Sequence, residues 1–302
     1  MVKIGIIGLG DIANKAYLPL IGSRKIEAHL YTRSEAKLSQ ARDQYRFKNL
    51  HPSLGSLINS GIKGAFVHAA TTAHYEIVEQ LLNHNIHVYI DKPLTYDYAS
   101  SEELVNLATR KNLALMVGFN RRYAPAYRRL KELPDPNMII MQKNRKSLPG
   151  DIRTFVFDDF IHVVDTLRYM FPYPVDTITV NGRENAGLLY HVVVEFIASN
   201  GATAIGIMNR DSGTVIETLE VITPTATGIA TNLTDVVMYQ DKNETRLGNN
   251  DWESTLYKRG FEQITTDFLQ VLESGAPPQI SGTDALLTHK ICEEVVERLS
   301  RM

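Results

Sequence analysis

The sequence lacks the features of several broad classes of protein. Its 302 residues include a single cysteine, Cys292, so no intramolecular disulfide and no cysteine-rich metal site can be assembled. The formal net charge is only −2 and neither sign forms a long run, which argues against a protein that binds nucleic acid or a membrane surface. We therefore expect a small-molecule substrate as the partner, with no nucleic acid and no membrane.

Long hydrophobic runs are also absent. No stretch approaches the roughly 18 consecutive apolar residues of a transmembrane helix. The chain enters a short apolar segment at residues 2–7 without the basic region and long apolar region of a secretory signal. We therefore expect a cytoplasmic protein.

Apolar residues make up 44% of the sequence and charged residues 22%, the balance of a globular protein with a large core. The first 120 residues alternate short apolar segments with amphipathic helical ones, which predicts an α/β Rossmann domain with a parallel sheet. From about residue 138, long β-branched segments follow one another with few helices, which predicts an α+β domain with a large, mostly antiparallel open sheet. We assign residues 1–120 to dinucleotide binding and residues 121–302 to substrate binding and oligomerisation, with a C-terminal helix (residues 283–301) that can pack back on the first domain.

The sequence also predicts how Trp252 and Cys292 pack in the second predicted domain. Trp252 precedes a predicted helix at residues 257–272, and we expect its ring to pack between helix and sheet. Cys292 lies on the apolar stripe of the C-terminal helix, so we expect a core residue.

A glycine-rich turn follows the first predicted strand, with the sequence Gly8-Leu9-Gly10-Asp11-Ile12-Ala13. Gly8 permits a tight turn, Gly10 lets the backbone approach a pyrophosphate, and Ala13 lets the next helix pack closely on the strand. The N-terminus of that helix offers free N–H groups and the positive end of its dipole to the phosphates. The turn therefore predicts a dinucleotide site over residues 8–12, the alternative being an ordinary strand-to-helix turn.

The end of the second predicted strand distinguishes the two nicotinamide dinucleotides. An acidic residue there binds the ribose 2′-hydroxyl of NAD, whereas a basic residue accommodates the 2′-phosphate of NADP. This chain has Thr32, Arg33 and Ser34 and no carboxylate. Arg33 can pair with a phosphate and stack on adenine, and the two hydroxyls add donors. The sequence favours NADP over NAD, unless Arg33 is simply a solvated loop residue.

Lys92 lies at the carboxyl end of a predicted strand, the edge where ligands of open α/β sheets bind. Pro93 restrains the backbone of Lys92 to an extended conformation, so the lysine side chain starts from a defined point. A lysine there can serve as a proton donor, or it can merely neutralise a cofactor phosphate.

Asp158 and His162 lie four residues apart at the start of a predicted helix at residues 162–171. Both side chains share one helix face if the helix begins early enough. His162 can act as a general base because histidine titrates near neutral pH and a carboxylate can orient its ring. From the spacing alone, a capping aspartate beside a structural histidine is the favoured interpretation. No metal site is predicted, because a third ligand at a recognised spacing is missing.

Taken in order, these motifs resemble the Gfo/Idh/MocA family of NAD(P)-dependent oxidoreductases over nearly the whole chain. The resemblance rests on the glycine turn, on Lys92-Pro93, on the Asp158/His162 pair, and on the segments at residues 71–74 and 118–123. It implies that Lys92 is catalytic and lies beside the nicotinamide, that Asp158 and His162 are substrate and catalytic residues, and that the second domain forms a homodimer or homotetramer through its sheet. It also implies further cofactor-binding residues, namely Ala70, Thr71, His74, Asp91 and Asn120.

This chain departs from the family pattern in two places. Asp91 stands where the family usually has Glu, which shortens the carboxylate without removing it. Where the family often has glycines around the aspartate of the pair, this chain has Phe155, Phe157 and Phe160. These rings either form an apolar wall of the substrate pocket or pack in the core, and the sequence leaves both open.

The resulting hypothesis is an NADP-dependent oxidoreductase that transfers a hydride between the nicotinamide and a secondary alcohol or carbonyl of a small molecule such as a sugar or polyol. In it, His162 takes the proton of the substrate hydroxyl while Lys92 polarises the oxygen. The alternatives are a regulator that binds a dinucleotide without chemistry, and an enzyme that uses the cofactor transiently to eliminate or hydrolyse a glycoside. Retention of Lys92, Asp158 and His162 together favours catalysis.

Overall fold

The structure, a computed structural model, describes residues 2–248 and 250–302. It divides into two compact units, one made of the chain up to Phe119 with Phe261–Leu287, the other of Asn120–Gly260 with Thr288–Met302. The division expected at residues 120 and 121 falls beside the first crossing between the units. The first unit also contains Phe261–Leu287. Of this stretch, the sequence-based division expected only the C-terminal helix (residues 283–301) to pack back on the first domain, and the structure places residues 288–302 in the second unit.

The first unit contains a sheet of six strands, β1 (Lys3–Ile7), β2 (Glu27–Tyr31), β3 (Asn49–His51), β4 (Gly64–Val67), β5 (His87–Ile90) and β6 (Leu115–Val117). Their order is β3-β2-β1-β4-β5-β6, and every pair is parallel. The central strands are buried on both faces, which explains their continuous apolar sequence. The predicted Rossmann sheet is confirmed, although β3 is too short to show a pattern in the sequence.

Helices connect these strands and cover the sheet: α1 (Leu18–Gly22), α2 (Glu35–Tyr45), α3 (Leu54–Ile58), α4 (His74–Asn83) and α5 (Tyr98–Arg110). Side-chain caps fix where they begin. Ser34 accepts a hydrogen bond from the backbone N–H of Lys37 at the start of α2, and Asp97 accepts one from Ser100 at the start of α5, which satisfies N–H groups that the helix leaves unpaired. The connection from β1 to α1 includes one turn of π-helix, Ala13–Tyr17.

The second unit contains a sheet of eight strands, β7 (Met138–Asn144), β8 (Thr177–Asn185), β9 (Leu188–Ile197), β10 (Thr203–Asn209), β11 (Ile216–Ile222), β12 (Thr227–Thr231), β13 (Asp235–Gln240) and β14 (Asn243–Leu247). Their order is β14-β13-β12-β11-β7-β10-β9-β8. Only β7 and β10 pair in parallel among these described strands, which confirms the mostly antiparallel sheet. Strands β12 and β14 escaped the sequence analysis because they are short and partly polar.

Alternate residues of this sheet face α8 (Ile161–Met170), which packs on β7 and β10. It follows α6 (Pro125–Lys131), α7 (Ile152–Phe155) and one π-helical turn, Val156–Phe160. The helical stretch therefore begins at Ile152 rather than near residue 162. An inserted π turn is frequently found at functional sites, and this one contains Asp158 and the neighbouring Asp159.

The chain completes its fold with α9 (Thr255–Lys258), α10 (Phe261–Ser274) and α11 (Gly282–Leu299). Cys292 is buried as expected. The expectation for Trp252 is wrong, because 94% of its side-chain surface is exposed in a loop that ends at α9. No helix of residues 2–248 and 250–302 has the length and apolar content needed to cross a bilayer.

The three phenylalanines near the Asp158/His162 pair are packed inside the second unit. Phe155, Phe157 and Phe160 are fully buried. Phe155 lies under the guanidinium of Arg210, 4.9 Å from the ring centroid, and Phe157 contacts His289. Of the two interpretations that the sequence left open, the structure selects core packing.

Candidate functional site

The glycine turn after β1 approaches the end of β4 so closely that no side chain fits. Gly8 has φ of +85°, and a Cβ there would lie 2.5 Å from the backbone nitrogen of Ala69. Its N–H donates to the carbonyl of Tyr31, at 2.9 Å. Glycine is therefore required by both conformation and space. At Gly10 a Cβ would lie 3.8 Å from the carbonyl oxygen of His68, which is an ordinary contact. The protein's own packing therefore does not require glycine at this position.

A cavity of about 590 Å³ opens over this turn, a size typical of small-molecule and cofactor sites. It is lined by predicted cofactor residues from three loops, namely Gly8, Leu9, Gly10, Thr32, Arg33 and Ala70. Lys37, on the first turn of α2, also lines the cavity together with Arg33, and Glu76 contributes a carboxylate. The backbone cradle and the two cations suit a ligand with a pyrophosphate and further phosphate charge. These residues fit a nicotinamide dinucleotide, and NADP would use both cations.

Four of the other predicted cofactor residues are near the turn without lining the cavity. Asp11 is exposed and pairs with Lys15 at 2.8 Å. Ile12 leads into the π-helical turn, and Thr71 opens a short 3-10 turn before α4. The oxygen of Ser34 accepts the N-cap hydrogen bond of α2, so its first role is to fix the helix that carries Lys37.

His74 holds the loops of the site together from inside. It is 1% exposed, and its Nδ1 lies 2.9 Å from the carbonyl of Pro93 while Nε2 lies 3.0 Å from that of Ala69. Two carbonyl acceptors favour a doubly protonated ring, but burial disfavours the charge more strongly and lowers the pKa of His74. The ring thereby positions the backbone around Ala69 and Pro93, and a contact of His74 with the cofactor stays a prediction.

Asp91 and Lys92 follow β5 at the carboxyl edge of the parallel sheet, as predicted. The carboxylate of Asp91 accepts from the backbone N–H of Lys92 at 2.9 Å. Burial raises the pKa of Asp91, although Lys92 and His74 oppose this effect. The Lys92-Pro93 peptide bond is cis. Both side chains are partly exposed. The side chain of Lys92 starts just after the end of β5.

Sequence reasoning missed His68, which ends β4 and lines the cavity. Neither ring nitrogen of His68 has a hydrogen-bond partner among the described residues, and burial lowers its pKa to about 3. The ring stacks on Tyr17 with centroids 3.9 Å apart, and the hydroxyl of Tyr17 bonds that of Tyr89 at 2.6 Å. This buried cluster is neutral at physiological pH, and only its position after an apolar strand could have indicated it.

In the second unit, His162 is held by a residue that the sequence analysis did not pair with it. The Nη1 of Arg121 donates to Nδ1 of His162 at 2.8 Å. A guanidinium can only donate, so Nδ1 is the acceptor and the proton of the neutral ring is on Nε2. The structure thus gives His162 the tautomer of an N–H donor, whereas the predicted base would need Nε2 unprotonated.

Arg121 belongs to a buried ionic network. Its Nε and Nη2 donate to both carboxylate oxygens of Glu217, each at 2.7 Å, and Tyr127 donates to the same carboxylate at 2.9 Å. Burial alone would raise the pKa of Glu217, but Arg121 outweighs it and lowers the pKa to about 2. Arg121 and Glu217 come from segments far apart in sequence, which is why no local pattern revealed them.

The π-helical turn presents two aspartates in different settings. Asp159 is buried and binds Lys143 and Arg145, the latter at 3.0 Å from Nε. These cations hold the pKa of Asp159 below its usual range in spite of burial. Asp158, the predicted residue, is only partly buried. Sequence reasoning missed Asp159 because its spacing from His162 does not match the family pattern.

Two further polar side chains of this region have partners within the chain. Asp165, three residues after His162, accepts a hydrogen bond from Nε of Arg122 at 2.9 Å and one from the hydroxyl of Thr288 at 2.9 Å. The amide of Asn120 donates to the backbone carbonyl of Arg259 at 2.8 Å. In residues 2–248 and 250–302 there is no group of three or more His, Cys, Asp or Glu side chains able to hold a metal ion.

The parallel sheet, the glycine turn and the cavity above it define a dinucleotide-binding protein of the Rossmann class. Residues 2–119 match the model of an oxidoreductase family with an NAD-binding Rossmann fold, and residues 125–241 match that of a YceM-like C-terminal domain. The chain is 31% identical to YceM of Salmonella typhimurium, which is named as an oxidoreductase, over 97% of this chain and 96% of the relative.

More distant and structural relatives agree. The chain is 24% identical to the myo-inositol 2-dehydrogenase of Thermotoga maritima, over 94% of this chain and 92% of that protein. The crystal structure of a Gfo/Idh/MocA family oxidoreductase from Vibrio cholerae superposes with a TM-score of 0.93 at 31% identity, covering 100% of this chain and 99% of the other. This chain belongs to the Gfo/Idh/MocA family of NAD(P)-dependent oxidoreductases, and its substrate is a small molecule.

Proposed function

We propose that this chain is an NADP-dependent dehydrogenase or reductase of a secondary alcohol or carbonyl group in a sugar, polyol or related small molecule. The observation that carries the proposal is the cavity over the glycine turn, which joins the backbone cradle of Gly8 and Gly10 to the cations Arg33 and Lys37. When bound, the nicotinamide would accept or supply the hydride. The similarity to a myo-inositol dehydrogenase supports a hydroxylated substrate.

The choice of NADP rests on charge at one end of the cavity. Arg33 and Lys37 are both exposed there, and a 2′-phosphate can form charge-assisted hydrogen bonds with both. Lys37 strengthens the prediction made from Arg33, because the 2′-hydroxyl of NAD would instead favour a carboxylate.

A cofactor titration tests this choice. We expect the wild type to bind NADPH more tightly than NADH, measured by nicotinamide fluorescence. Arg33→Ala and Lys37→Ala each should weaken NADPH binding about tenfold or more and change NADH binding little, since about 1.4 kcal/mol per lost phosphate contact corresponds to tenfold. Lys48→Ala, at an exposed lysine after α2, is the control. Tighter binding of NADH by the wild type would contradict NADP specificity.

The proposed chemical roles follow from the local geometry of each residue. We propose proton transfer for Lys92, whose amine extends from the rigid end of β5. For His162 we propose hydrogen-bond donation from Nε2 to a substrate oxygen, because Arg121 occupies Nδ1. Asp158 is proposed to accept a hydrogen bond from a hydroxyl of the substrate. This revises the sequence-based assignment, in which His162 was the base and Lys92 polarised the oxygen.

A substrate panel of sugars, polyols and their oxidised forms tests these roles through the change in reduced nicotinamide. We expect kcat/KM to fall at least about 100-fold in Lys92→Met, the typical loss for a proton-transfer group, and His162→Gln to retain more activity than His162→Phe because the amide still donates. Lys48→Met and His84→Gln are matched controls at exposed positions. Binding of NADPH without turnover of any substrate would instead support a regulator, and substrate loss without net cofactor change a redox-assisted lyase or hydrolase.

We further propose a homodimer or homotetramer formed through the sheet of the second unit. The face of that sheet opposite α8 carries Val193, Ile205 and Ile207 on adjoining strands, each still partly exposed in the single chain. An apolar sheet face of this kind requires a cover. Light scattering after size-exclusion chromatography should show an oligomer for the wild type and a monomer for Ile205→Asp. A monomeric wild type would refute this part of the proposal.

A further inference from the structure

A second, smaller cavity lies in the second unit. Arg121, which donates a hydrogen bond to His162, is part of its lining. Its volume is about 90 Å³, and it is lined from β7, β11, the loop after β12 and the end of α9. Since a water molecule takes up roughly 30 Å³, this space holds one functional group and not a whole sugar. The lining residues with polar side chains are Arg121, Lys143, Asn144, Arg145, Glu217, Asn232 and Arg259.

The charges around this cavity do not balance. Both carboxylate oxygens of Glu217 accept hydrogen bonds from Arg121. Asp159 accepts hydrogen bonds from both Lys143 and Arg145. No carboxylate of the described residues pairs with the fourth cation, Arg259. Burial, followed by repulsion from Arg121, lowers the pKa of Arg259 and lowers that of Lys143 to about 7. Even with Lys143 uncharged, the three arginines outnumber the two carboxylates, so the cavity has excess positive charge.

Arg259 is held at the cavity by its backbone. Its carbonyl accepts the amide of Asn120 at 2.8 Å, and the next residue, Gly260, has φ of +80°. A Cβ at Gly260 would lie 2.2 Å from the carbonyl oxygen of Asn120, so only glycine permits this approach. The guanidinium of Arg259 forms no hydrogen bond or ion pair with the described residues. The backbone of Arg259 is thus held in place while its guanidinium is available to a ligand.

Asn144 supplies an independent sign of a missing ligand. Its side-chain oxygen is buried and has no hydrogen-bond partner within the described part of the chain. A buried carbonyl left unsatisfied is costly. It lies in the same cavity lining as Arg259 and Arg145. A ligand that brings both an anion and a neighbouring O–H or N–H donor would satisfy all three side chains.

We propose that the substrate carries an anionic group, a carboxylate or a phosphate, that binds in this cavity to Arg259, Arg145 and Lys143. The inference deepens the proposed function by naming the substrate class, and it rests on that function in so far as the ligand is the substrate. The substrate is then a sugar or polyol acid or phosphate rather than a neutral polyol. Arg121 contacts both the cavity and His162, so the anion would be held one side chain away from the proposed donor.

Binding of simple anions tests the cavity without any turnover. Inorganic phosphate and acetate are titrated by calorimetry at low ionic strength into protein saturated with NADPH, so that the cofactor's own phosphate sites are filled. We expect binding of one or both anions, weakened about tenfold or more in Arg259→Met and within about twofold of wild type in Lys146→Met, since about 1.4 kcal/mol corresponds to tenfold. Lys146 is an exposed cation next to Arg145. Absence of binding, or equal binding by both variants, would overturn the proposal.

Steady-state rates then identify the anion and separate this proposal from the proposed function. Glucose, glucuronate and glucose 6-phosphate form one matched set, and myo-inositol and its monophosphate another. We expect kcat/KM to favour the carboxylate or the phosphate member, and Arg259→Met to reduce that preference about tenfold or more through KM. Equal rates for neutral and anionic members would refute the anion site while leaving the oxidoreductase intact. Anion binding lost in Arg259→Met with no turnover of any member would uphold the site and refute the proposed chemistry.

Discussion

A buried polar cluster of the first unit is neutral, whereas the second unit buries ion pairs. Beneath the glycine turn, Tyr17 stacks on His68 and shares a hydrogen bond between hydroxyls with Tyr89, and burial is the main cause that keeps all three side chains uncharged. In the second unit, Arg121 and Glu217 form a fully buried ion pair. The difference is consistent with the proposed roles, in which the first unit binds its ligand through backbone N–H groups and surface cations and the second through buried charge.

This contrast has a physical basis. A dinucleotide offers phosphates to N–H groups that the turn already exposes, so a buried charge would add only a desolvation cost. A small substrate offers few groups, so a site that selects it needs strong and oriented partners, and buried ion pairs provide these when each member is satisfied.

The ionic network should be the most sensitive point of the second unit. Glu217→Gln leaves Arg121 buried with an uncompensated charge, so we expect a loss of about 3 to 5 kcal/mol in the free energy of unfolding, measured by urea denaturation at pH 7. Glu220→Gln, the same change on the partly exposed face of β11, should cost about 0.5 kcal/mol or less. Equal losses in the two variants would show that the ion pair contributes no more than a surface carboxylate.

The neutral cluster of the first unit should make the free energy of unfolding depend on pH. His68 has a native pKa of about 3 against about 6.5 when unfolded, so the unfolded state binds a proton first as the pH falls. Stability from this group is complete above pH 6.5 and is lost progressively toward pH 3, about 2 kcal/mol of it by pH 5. His68→Leu should flatten this dependence, with exposed His84→Gln as the control. An unchanged slope in His68→Leu would mean that His68 is protonated in the native state.

The hydroxyl pair should have a smaller effect. Tyr17→Phe leaves the hydroxyl of Tyr89 without its partner at 2.6 Å, so we expect a loss of about 1 to 2 kcal/mol. Tyr98→Phe removes the hydroxyl of a partly exposed tyrosine, which donates to Glu102, and serves as the control, with a loss below about 0.5 kcal/mol. Chemical denaturation at pH 7 compares them. If Tyr17→Phe matched Tyr98→Phe, the buried pair would add nothing to the stability of the first unit.

The smallest effect is expected at Trp252. Because 94% of this side chain is exposed, Trp252→Ser should change the free energy of unfolding by less than about 0.5 kcal/mol. Its fluorescence maximum in the wild type should be that of an indole in water. A blue-shifted maximum that disappears in the variant would place the ring against protein, in agreement with the sequence-based expectation that the structure contradicts.

The sequence could predict what depends on local pattern. The turn at Gly8, the strand end at Lys92 and the change from parallel to antiparallel sheet all follow from spacing and residue type, and each is where it was expected. Lys37 was missed because its place beside Arg33 depends on where α2 begins, and that is set by the cap at Ser34.

What the sequence could not predict depends on contacts between distant segments. His162 appeared to need a carboxylate four residues away, but the partner seen on Nδ1 is Arg121, 41 residues earlier. His74 matched a family position, yet its surroundings are the carbonyls of Ala69 and Pro93. In both cases the residue type was a sound signal, and the role depended on neighbours that only the folded chain brings near.

The π-helical turn at Val156–Phe160 also makes the second unit's site adjustable. The wider turn accommodates one extra residue between two α-helical stretches. Each residue of an α-helix accounts for about 100° of rotation. Deleting one residue of the turn would restore a continuous α-helix and rotate everything before it relative to α8, whose packing on the sheet would stay as it is. The loss of a single codon here would therefore change the direction of the aspartate side chains while α8 keeps its packing on the sheet.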